Sequence, residues 1–311
     1  MQQLIQYLYI GLRDGKNMKK FKNVSLYSST GLKRVDKIAY QVLEILENIG
    51  INVFFTESLA GMNVKKKYIK SDRYILKNTD LLISIGGDGS LLSLARKFGR
   101  HGLPIMGINL GSLGFLTDVK PEELTTSLID VFKGKYSNEE RFFLESSVSN
   151  TKKKKLALNE IVIHSGSVAQ LIEYELFIDN NFVFRQKADG LIISTPTGST
   201  AYSLSGGGSI IHPDVEAINI IPMFPHSLSS SPLVINKDCE ITIEIVNTRK
   251  SMLSLDSHDS ISLKEGDVVS IKKANNPLNL IHPLDHDFYS ACRDKLGWSM
   301  IISYYMRYML N

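Results

Sequence analysis

The sequence predicts a two-domain protein, in which a small Rossmann-like α/β domain precedes a β-sandwich-like domain. In the first half, short apolar runs alternate with stretches of helical periodicity, which is typical of a parallel sheet covered by helices. After about residue 140 the chain turns to short strand-like runs with a turn signal about every ten residues, as in a sandwich. With 311 residues, 43% of them apolar, the chain is long enough to form two cores.

The elements of the first half follow from periodicity and from turn residues. Strands are predicted at the short apolar runs 23–27, 51–55, 81–85 and 103–108. Apolar residues recur at helical spacing over residues 35–49, and Gly50 is a suitable stop for that helix. A second helix is expected to begin near Ser90, and Pro121 is expected at the first position of a third.

The second half is predicted to consist mostly of strands. These are expected at residues 141–148, 156–164, 171–178, 182–186, 191–194, 241–246 and 267–271. Asp179-Asn180-Asn181 is a plausible hairpin turn, and helical character returns from Asp287 to about Leu296. Residues 1–17 precede the first predicted strand region and are expected to be an extra N-terminal segment.

Composition limits the classes of function. The 36 basic and 32 acidic residues leave a formal charge of only +4, which gives no case for a nucleic-acid partner. No apolar stretch approaches the roughly 20 residues that span a bilayer, so no membrane partner is expected. Cys239 and Cys292 lack metal-site spacing and are interpreted as free thiols of a reducing, cytoplasmic compartment. The basic run Lys152–Lys155 is interpreted as a solvated turn.

The most informative segment is Gly86-Gly87-Asp88-Gly89-Ser90. A buried strand, a glycine turn and the start of a helix together present backbone N–H groups to an anion, usually a phosphate. Asp88 is a negative charge placed among those donors, which is unfavourable unless it holds a metal or takes a proton. The combination indicates phosphoryl transfer. A tight turn capped by an aspartate is the alternative interpretation.

Three further segments carry polar groups at predicted strand ends. Residues 107–118 follow a strand and contain spaced glycines, with Asn109 as the group best placed to face a ligand. Asn159-Glu160 provides a donor, acceptors and a carboxylate suited to ribose hydroxyls, although both residues could simply pair with backbone. Asp189 precedes a buried strand that runs into chain dense in Ser, Thr and Gly, up to residue 208.

Together these segments resemble the NAD kinase family of ATP-dependent phosphotransferases. The matching motifs are residues 86–90, 107–118, 158–160 and 189–205, and the tail motifs at 282–283 and 295–298 are also similar to bacterial members. The match covers nearly the whole chain from about residue 23 onward. The glycine turn joined to Thr195-Pro-Thr-Gly-Ser-Thr-Ala-Tyr202 makes the resemblance highly specific.

The resemblance implies transfer of the γ-phosphoryl of ATP to the 2′-hydroxyl of the adenosine ribose of NAD, giving NADP. It implies Mg²⁺ as the divalent cation that accompanies ATP, and a homodimer or homotetramer. It also implies that residues 18–139, joined by the tail 282–311, form the nucleotide-binding domain and that residues 140–281 form the NAD-binding domain.

Site roles follow from the same resemblance. Asp88 is the expected general base. The glycine turn is expected to face the phosphates of ATP, through Gly86, Gly87, Gly89 and Ser90. NAD is expected to contact Gly89, Asn159, Glu160, Lys187, Asp189, Thr200, Ala201, Tyr202 and Ser205.

The sequence departs from the family pattern at several positions. Lys187 stands at a usual Arg position, and other departures are Ser209, Ser231, Ser257 and His258. Two alternatives therefore stay open: a catalytically impaired nucleotide-binding sensor, and a sugar kinase of the phosphofructokinase type. The latter would carry its catalytic aspartates in a Thr-Ile-Asp-Asn-Asp segment, which does not occur here.

Overall fold

The computed structural model describes residues 21–30, 33–62, 64–111, 114–151, 154–166, 170–227, 230–248 and 250–298. The segment 1–17, and Lys152 and Lys153 of the basic run, lie outside the described residues. The chain divides into two compact units, of which the second is Arg141–Pro277 and the first takes the residues on either side of it. Among the described residues, no helix combines the length and apolar character needed to cross a bilayer.

The described elements have the following bounds. The strands are β1 (Asn23–Tyr27), β2 (Asn52–Thr56), β3 (Ile69–Lys70), β4 (Leu81–Gly86), β5 (Ile105–Asn109), β6 (Ser137–Arg141), β7 (Leu144–Val148), β8 (Lys155–Ala157), β9 (Glu160–Ser165), β10 (Ile172–Ile178), β11 (Asn181–Ala188), β12 (Gly190–Ser194), β13 (Ala217–Met223), β14 (Leu233–Asn236), β15 (Ile241–Asn247), β16 (Ser251–Leu255), β17 (Asp259–Leu263), β18 (Val268–Lys273) and β19 (Leu278–His282). The α-helices are α1 (Lys33–Asn48), α2 (Asp72–Asn78), α3 (Asp88–Phe98), α4 (Leu124–Phe132), α5 (Tyr202–Ser205) and α6 (Phe288–Leu296).

The first unit is built on one seven-stranded sheet in the order β3-β2-β1-β4-β5-β19-β6. The pairs β1–β2, β1–β4, β4–β5 and β5–β19 are parallel. Every residue of β4 is buried, as expected for a strand covered on both faces. The Rossmann-like prediction is confirmed. The sheet also takes in β19, which comes from beyond the second unit in the chain.

One of the two predicted helix starts is wrong. The helix predicted to begin near Ser90 begins at Asp88, where Gly87 acts as its N-cap and the Gly87 carbonyl accepts the Ser90 N–H at 2.9 Å. The helix predicted to start at Pro121 begins at Leu124. Pro121 instead follows Lys120 in a turn closed by the Glu123 N–H donating to the Lys120 carbonyl at 3.1 Å, with Pro at its favoured second position.

The second unit consists of two antiparallel six-stranded sheets, and the sandwich-like prediction is confirmed. Their orders are β11-β10-β15-β18-β7-β8 and β14-β13-β12-β9-β16-β17. Buried side chains from both sheets form one core, in which Tyr174 and Ile243 of one sheet join Ile163 and Leu191 of the other. The predicted hairpin turn joins β10 to β11, with φ of 49° at Asp179 and 64° at Asn180, as a two-residue primed turn requires.

Candidate active site

The β4–α3 turn is shaped by glycine. Gly86 has φ of 153°, and a Cβ there would lie 2.7 Å from the Cβ of Ser90, so no larger residue fits this position. A Cβ at Gly87 or Gly89 would meet no heavy atom within 4 Å. The backbone of these two glycines is therefore open to the close approach of a ligand. The three glycines, Asp88 and Ser90 thus lie together at the carboxyl end of β4.

The Ser90 side chain stabilises this turn through hydrogen bonds to backbone. It is buried, and its hydroxyl accepts the Ser29 N–H at 3.1 Å and lies 3.4 Å from the Ile85 carbonyl oxygen. These contacts fasten the turn to the end of the neighbouring strand β1. A phosphate contact by Ser90 stays a prediction, and its backbone N–H is already bonded to Gly87.

The Asp88 carboxylate is held by donors from the loop after β5. Oδ2 accepts the Phe115 N–H at 2.9 Å, and Oδ1 accepts the N–H groups of Leu116 at 3.1 Å and Thr117 at 3.2 Å. The Thr117 hydroxyl donates to Oδ1 at 3.0 Å. The carboxylate is thereby fixed in one orientation at the first turn of α3, where the helix dipole favours negative charge.

A cation from the end of the chain completes this arrangement. The Lys295 ammonium in α6 lies 3.2 Å from Asp88 Oδ2 and 5.4 Å from the centre of the Phe115 ring. The Phe288 ring, at the start of the same helix, packs 6.1 Å from Phe115. Sequence reasoning missed Lys295 and Thr117 as partners of Asp88. Lys295 was visible only as part of a tail motif, with no indication of which carboxylate it meets.

Asn159 and Glu160 lie where β8 gives way to β9 in the second unit. The Asn159 carbonyl accepts the Thr195 N–H at 2.9 Å and lies 3.3 Å from the hydroxyl of Ser194. Gly198 packs so tightly here that a Cβ would stand only 2.5 Å from the Asn159 carbonyl carbon. The backbone of Asn159 is thus wedged against the Thr195–Gly198 segment, which fixes where its side chain emerges.

A buried aspartate missed by sequence reasoning clamps this pair. Asp256, in the β16–β17 turn, accepts the N–H groups of Leu158 at 2.9 Å, Asn159 at 2.8 Å and Glu160 at 3.2 Å. Its position in a turn far along the chain gave the sequence analysis no reason to select it. Ser257 beside it has φ of 56°, a conformation that glycine adopts more readily.

The Glu160 carboxyl has a raised pKa. Burial, and secondly the charge of Asp256, raise the pKa of its carboxyl to about 7, although a hydrogen bond from the Tyr202 backbone N–H partly opposes this shift. Its Oε2 is buried and has no hydrogen-bond partner among the described residues. A buried polar atom without a partner is costly, so this oxygen is a candidate to receive a ligand hydroxyl.

The remaining predicted dinucleotide contacts divide into two groups. The first group lies in the Thr197–Thr200 turn or just after it, and consists of Thr200, Ala201, Tyr202 and Ser205. The backbone N–H of Tyr202 donates to Glu160, and the Tyr202 ring is exposed. These residues share one end of the sheet with Asn159 and Glu160.

Lys187 and Asp189 lie at the other end of β12. Gly190 pairs with His164 whereas Ser194 pairs with Glu160, so five residues of strand separate Asp189 from the level of Glu160, about 17 Å at roughly 3.3 Å per residue. Lys187 is exposed and lies 3.5 Å from Glu173. The structure therefore does not bring these two residues next to Asn159, and their contact with a dinucleotide stays a prediction.

Asn109, which the sequence favoured as facing a ligand, is instead buried in the loop after β5. Its amide donates to the Thr117 carbonyl at 3.1 Å and accepts the Gly111 N–H at 2.8 Å. It holds the segment whose N–H groups hold Asp88, so its part in the site is indirect.

A carboxylate fixed in a glycine turn, at the carboxyl edge of a parallel sheet, is suited to phosphoryl transfer and indicates a phosphotransferase acting on nucleotides. Family models agree with this class. The ATP-NAD kinase N-terminal domain matches residues 31–136, and the ATP-NAD kinase C-terminal domain matches residues 158–283.

Individual relatives support the same conclusion. The NAD kinase of Chromohalobacter salexigens is 42% identical over 288 residues, covering 91% of this chain and 98% of the relative, and that of Acinetobacter baylyi is 44% identical over 286 residues, covering 90% and 93%. Among solved structures, yeast NADH kinase complexed with NADH matches with a TM-score of 0.80 at 27% identity, over 91% of this chain and 92% of that one. An NAD kinase from Archaeoglobus fulgidus in complex with ATP matches with a TM-score of 0.67 at 27% identity, over 88% and 97%. The chain belongs to the ATP-NAD kinase family.

Proposed function

We propose that this NAD kinase transfers the γ-phosphoryl of ATP to the 2′-hydroxyl of the adenosine ribose of NAD and that Asp88 takes the proton of that hydroxyl. The observation that carries the assignment of the base is the fixed carboxylate of Asp88, in the first turn of a helix that follows an open glycine turn. An attacking oxygen needs a proton acceptor within hydrogen-bond reach. The rest of phosphoryl transfer depends on positioning and charge neutralisation.

The two units divide the binding tasks in this proposal. The first unit supplies the base and the backbone of Gly87 and Gly89 for the phosphates of ATP. The second unit supplies Asn159 and Glu160 for the ribose and adenine of NAD, where Glu160 Oε2 accepts from a hydroxyl and the Asn159 amide both donates and accepts. Lys187, Asp189, Thr200, Ala201, Tyr202 and Ser205 are proposed as further contacts.

The Asp88 carboxylate, surrounded by its hydrogen-bond donors, is not an evident ligand for the Mg²⁺ that accompanies ATP. A carboxylate offers about four lone-pair sites, and Asp88 already receives three backbone N–H groups, the Thr117 hydroxyl and Lys295. In the observed arrangement these donors occupy the lone pairs of the carboxylate, so a cation bound there would have to displace one of them, as the attacking hydroxyl also must. Magnesium is commonly held by substrate phosphates and water, which fits its arrival with ATP.

The decisive experiment is a coupled assay. Purified protein with ATP, Mg²⁺ and NAD should form NADP, detected with an NADP-specific dehydrogenase. Sugar phosphorylation without NADP would reject the assignment in favour of a sugar kinase, and binding of NAD without turnover by folded protein would favour a sensor. The comparisons support neither alternative. Running the assay with NADH alongside NAD measures which redox form is preferred.

Glu160 gives the reaction a specific pH dependence. Because the pKa of its carboxyl is raised to about 7, the free enzyme carries the protonated form below that pH, while the ionised form is the stronger acceptor for a ribose hydroxyl. The KM for NAD should therefore rise up to about tenfold per unit as pH falls below 7, while the KM for ATP stays nearly constant.

Glu160→Gln is the control, because glutamine keeps the shape of the side chain but does not titrate. The KM of this variant for NAD should be higher than that of the wild type at pH 8 and nearly independent of pH between 5.5 and 8, an interval chosen to bracket a pKa near 7. The raised pKa also makes folding stability fall as pH rises from about 4.5 to about 7, and this dependence should disappear in the variant. A wild-type KM for NAD that does not change with pH would contradict the assignment.

We further propose that the enzyme is a cytoplasmic homodimer or homotetramer. The two free cysteines, Cys239 and Cys292, support a reducing compartment. The subunit number is measured directly by light scattering during gel filtration.

A further inference from the structure

A compact cluster of imidazole and carboxylate groups lies in the first unit, beside the loop that holds Asp88. The Nδ1 atoms of His282 and His286 are 2.9 Å and 3.0 Å from the same oxygen, Oδ2 of Asp118. One ligand atom from each residue lies within 4.8 Å of those of the other two. The three residues come from the end of β19, from the segment before α6 and from the loop after β5.

The geometry points to a cation. The two imidazole rings stack with centres 4.0 Å apart and planes inclined by 17°, and both Nδ1 atoms face Asp118 Oδ2. Tetrahedral ligands at bond lengths of about 2.1 Å lie about 3.4 Å from one another, somewhat more than the 2.9 Å and 3.0 Å between the Nδ1 atoms and Asp118 Oδ2. Small shifts of the side chains are enough to seat an ion.

Two features distinguish this cluster from an ordinary ion pair. Asp118 Oδ1 is buried and has no hydrogen-bond partner among the described residues, so the carboxylate keeps an unused oxygen. On the far side of His282, Nε2 lies 3.1 Å from Oε2 of Glu139, a close approach that does not have hydrogen-bond geometry in the observed orientation. A carboxylate behind a histidine is the usual support of a metal ligand, because it fixes the tautomer that leaves the other nitrogen free to coordinate.

The surroundings leave room for solvent. A cavity of about 160 Å³ borders Asp118 and His286, and its lining also includes Glu123, Asp285 and Asp287, opposed by Lys120. This acidic lining favours a cation, and the space admits water as a further ligand. The cavity also gives an ion a path to Asp118 and His286.

Without a metal, the cluster carries positive charge on His282. Burial alone would lower the pKa of His282, but the carboxylates of Asp118 and Glu139 outweigh it and raise this pKa to about 9. Burial alone would likewise raise the pKa of the Asp118 carboxyl, but both histidines hold it below its usual range. A divalent ion would replace this positive charge.

We propose that Asp118, His282 and His286 form a binding site for a borderline divalent transition metal, with Zn²⁺ as the best match. Two imidazoles and one carboxylate suit Zn²⁺, whereas Mg²⁺ prefers oxygen ligands only. The metal would fasten β19 and the start of α6 to the segment whose N–H groups hold Asp88. This site is independent of the proposed roles of Asp88 and Glu160 in phosphoryl transfer.

Metal binding is measured on tag-free full-length protein that has been freed of metals with a chelator. Equilibrium dialysis against Zn²⁺ with Mg²⁺ in excess should give about one Zn²⁺ per chain, and Co²⁺ should produce the visible absorption of a low-coordinate site. Melting is followed in parallel, and Zn²⁺ should raise the Tm. Absence of stoichiometric Zn²⁺ binding overturns the proposal.

A pair of variants at His286 separates metal binding from simple ion pairing. His286→Gln keeps a donor for Asp118 but is a poor zinc ligand, so it should weaken Zn²⁺ binding at least about tenfold. His286→Cys supplies a thiolate ligand and should stay within about tenfold of the wild type. If the cluster is only an ion pair, the Tm of His286→Gln should be close to that of the wild type and the Tm of His286→Cys should be lower. In that case Zn²⁺ should change the Tm of neither variant.

Two further variants complete the test. Glu139→Gln should weaken Zn²⁺ binding by about 10- to 100-fold through the supporting carboxylate. His101→Ala removes an exposed histidine of the same unit outside the cluster and should bind Zn²⁺ as the wild type does. Equal Zn²⁺ binding by the wild type and His286→Gln would overturn the proposal, as would an effect of His101→Ala equal to that of His286→Gln.

Discussion

Asp88→Asn should lower kcat by about 10²- to 10⁴-fold, equivalent to about 3–5 kcal/mol in the barrier. The substitution removes the proton acceptor while keeping the shape of the side chain. Because Asn cannot accept from all the donors around it, its amide group would face backbone N–H groups of residues 115–117, and the loop should lose about 1–3 kcal/mol of stability. Rates under saturating ATP and NAD, together with a melting curve, check both expectations.

The number of donors on Asp88 makes this test informative. In the observed orientation the carboxylate is fully hydrogen-bonded, so it must exchange one donor to receive a ribose hydroxyl. Lys295 is the partner whose side chain remains partly exposed, which makes it the easiest donor to exchange. If Asp88 only caps the helix and the loop, Asp88→Asn should melt earlier but keep kcat within a few-fold of the wild type, and the role of base would be wrong.

A matched carboxylate and a pair of glycines supply the controls. Asp72→Asn makes the same change in the first turn of α2, and it should leave kcat unchanged. Gly114→Ala does not change the Asp88 side chain itself. Its Cβ would overlap Asp88 Oδ1 and displace the carboxylate, so kcat should fall at least about tenfold. Gly111→Ala, whose Cβ would meet only Asn109 Oδ1 at 3.8 Å, should behave as the wild type.

The fold was largely predictable because its signals are local. The apolar run of β4 followed by glycines and a helical pattern needs only neighbouring residues to be recognised, and so does the Asp179-Asn180 turn. β13 was missed because Pro222 argues against a central strand. β19 was missed as a member of the first sheet because its partner β5 lies far away in the chain, with Leu280 paired to Ile105.

The site was predictable only where its functional residues are neighbours in the sequence. Asp88 and the pair Asn159-Glu160 carry their own sequence signals. Asp256 clamps that pair from 97 residues away from Asn159, and Lys295 reaches Asp88 across 207 residues. No spacing in the sequence reveals such contacts, because they depend on how the strands are ordered. The positive φ of Ser257 likewise could not be read from the sequence and required the structure.

Gly198→Ala should lower kcat/KM for NAD by about 100-fold with little effect on the KM for ATP. The new Cβ would overlap the Asn159 carbonyl oxygen and stand 2.5 Å from its carbonyl carbon, and these backbone atoms cannot move independently of their neighbours because Asp256 holds the Asn159 N–H at 2.8 Å. The strain therefore shifts Asn159 and Glu160 together, and misplacement by about 1 Å costs about this factor. Overpacking should also lower the free energy of unfolding by about 1–3 kcal/mol.

Gly206→Ala is the matched control for this effect. Its Cβ would approach only the Cδ1 atom of Ile192 within 3 Å, and this end of a flexible side chain can move aside, so kcat/KM for NAD should stay within a few-fold of the wild type. Should Gly198→Ala fail to fold, Ser194→Ala removes a hydroxyl 3.3 Å from the Asn159 carbonyl and should raise the KM for NAD more mildly. Normal kinetics in folded Gly198→Ala would contradict the proposal that the placement of Asn159 and Glu160 positions the dinucleotide.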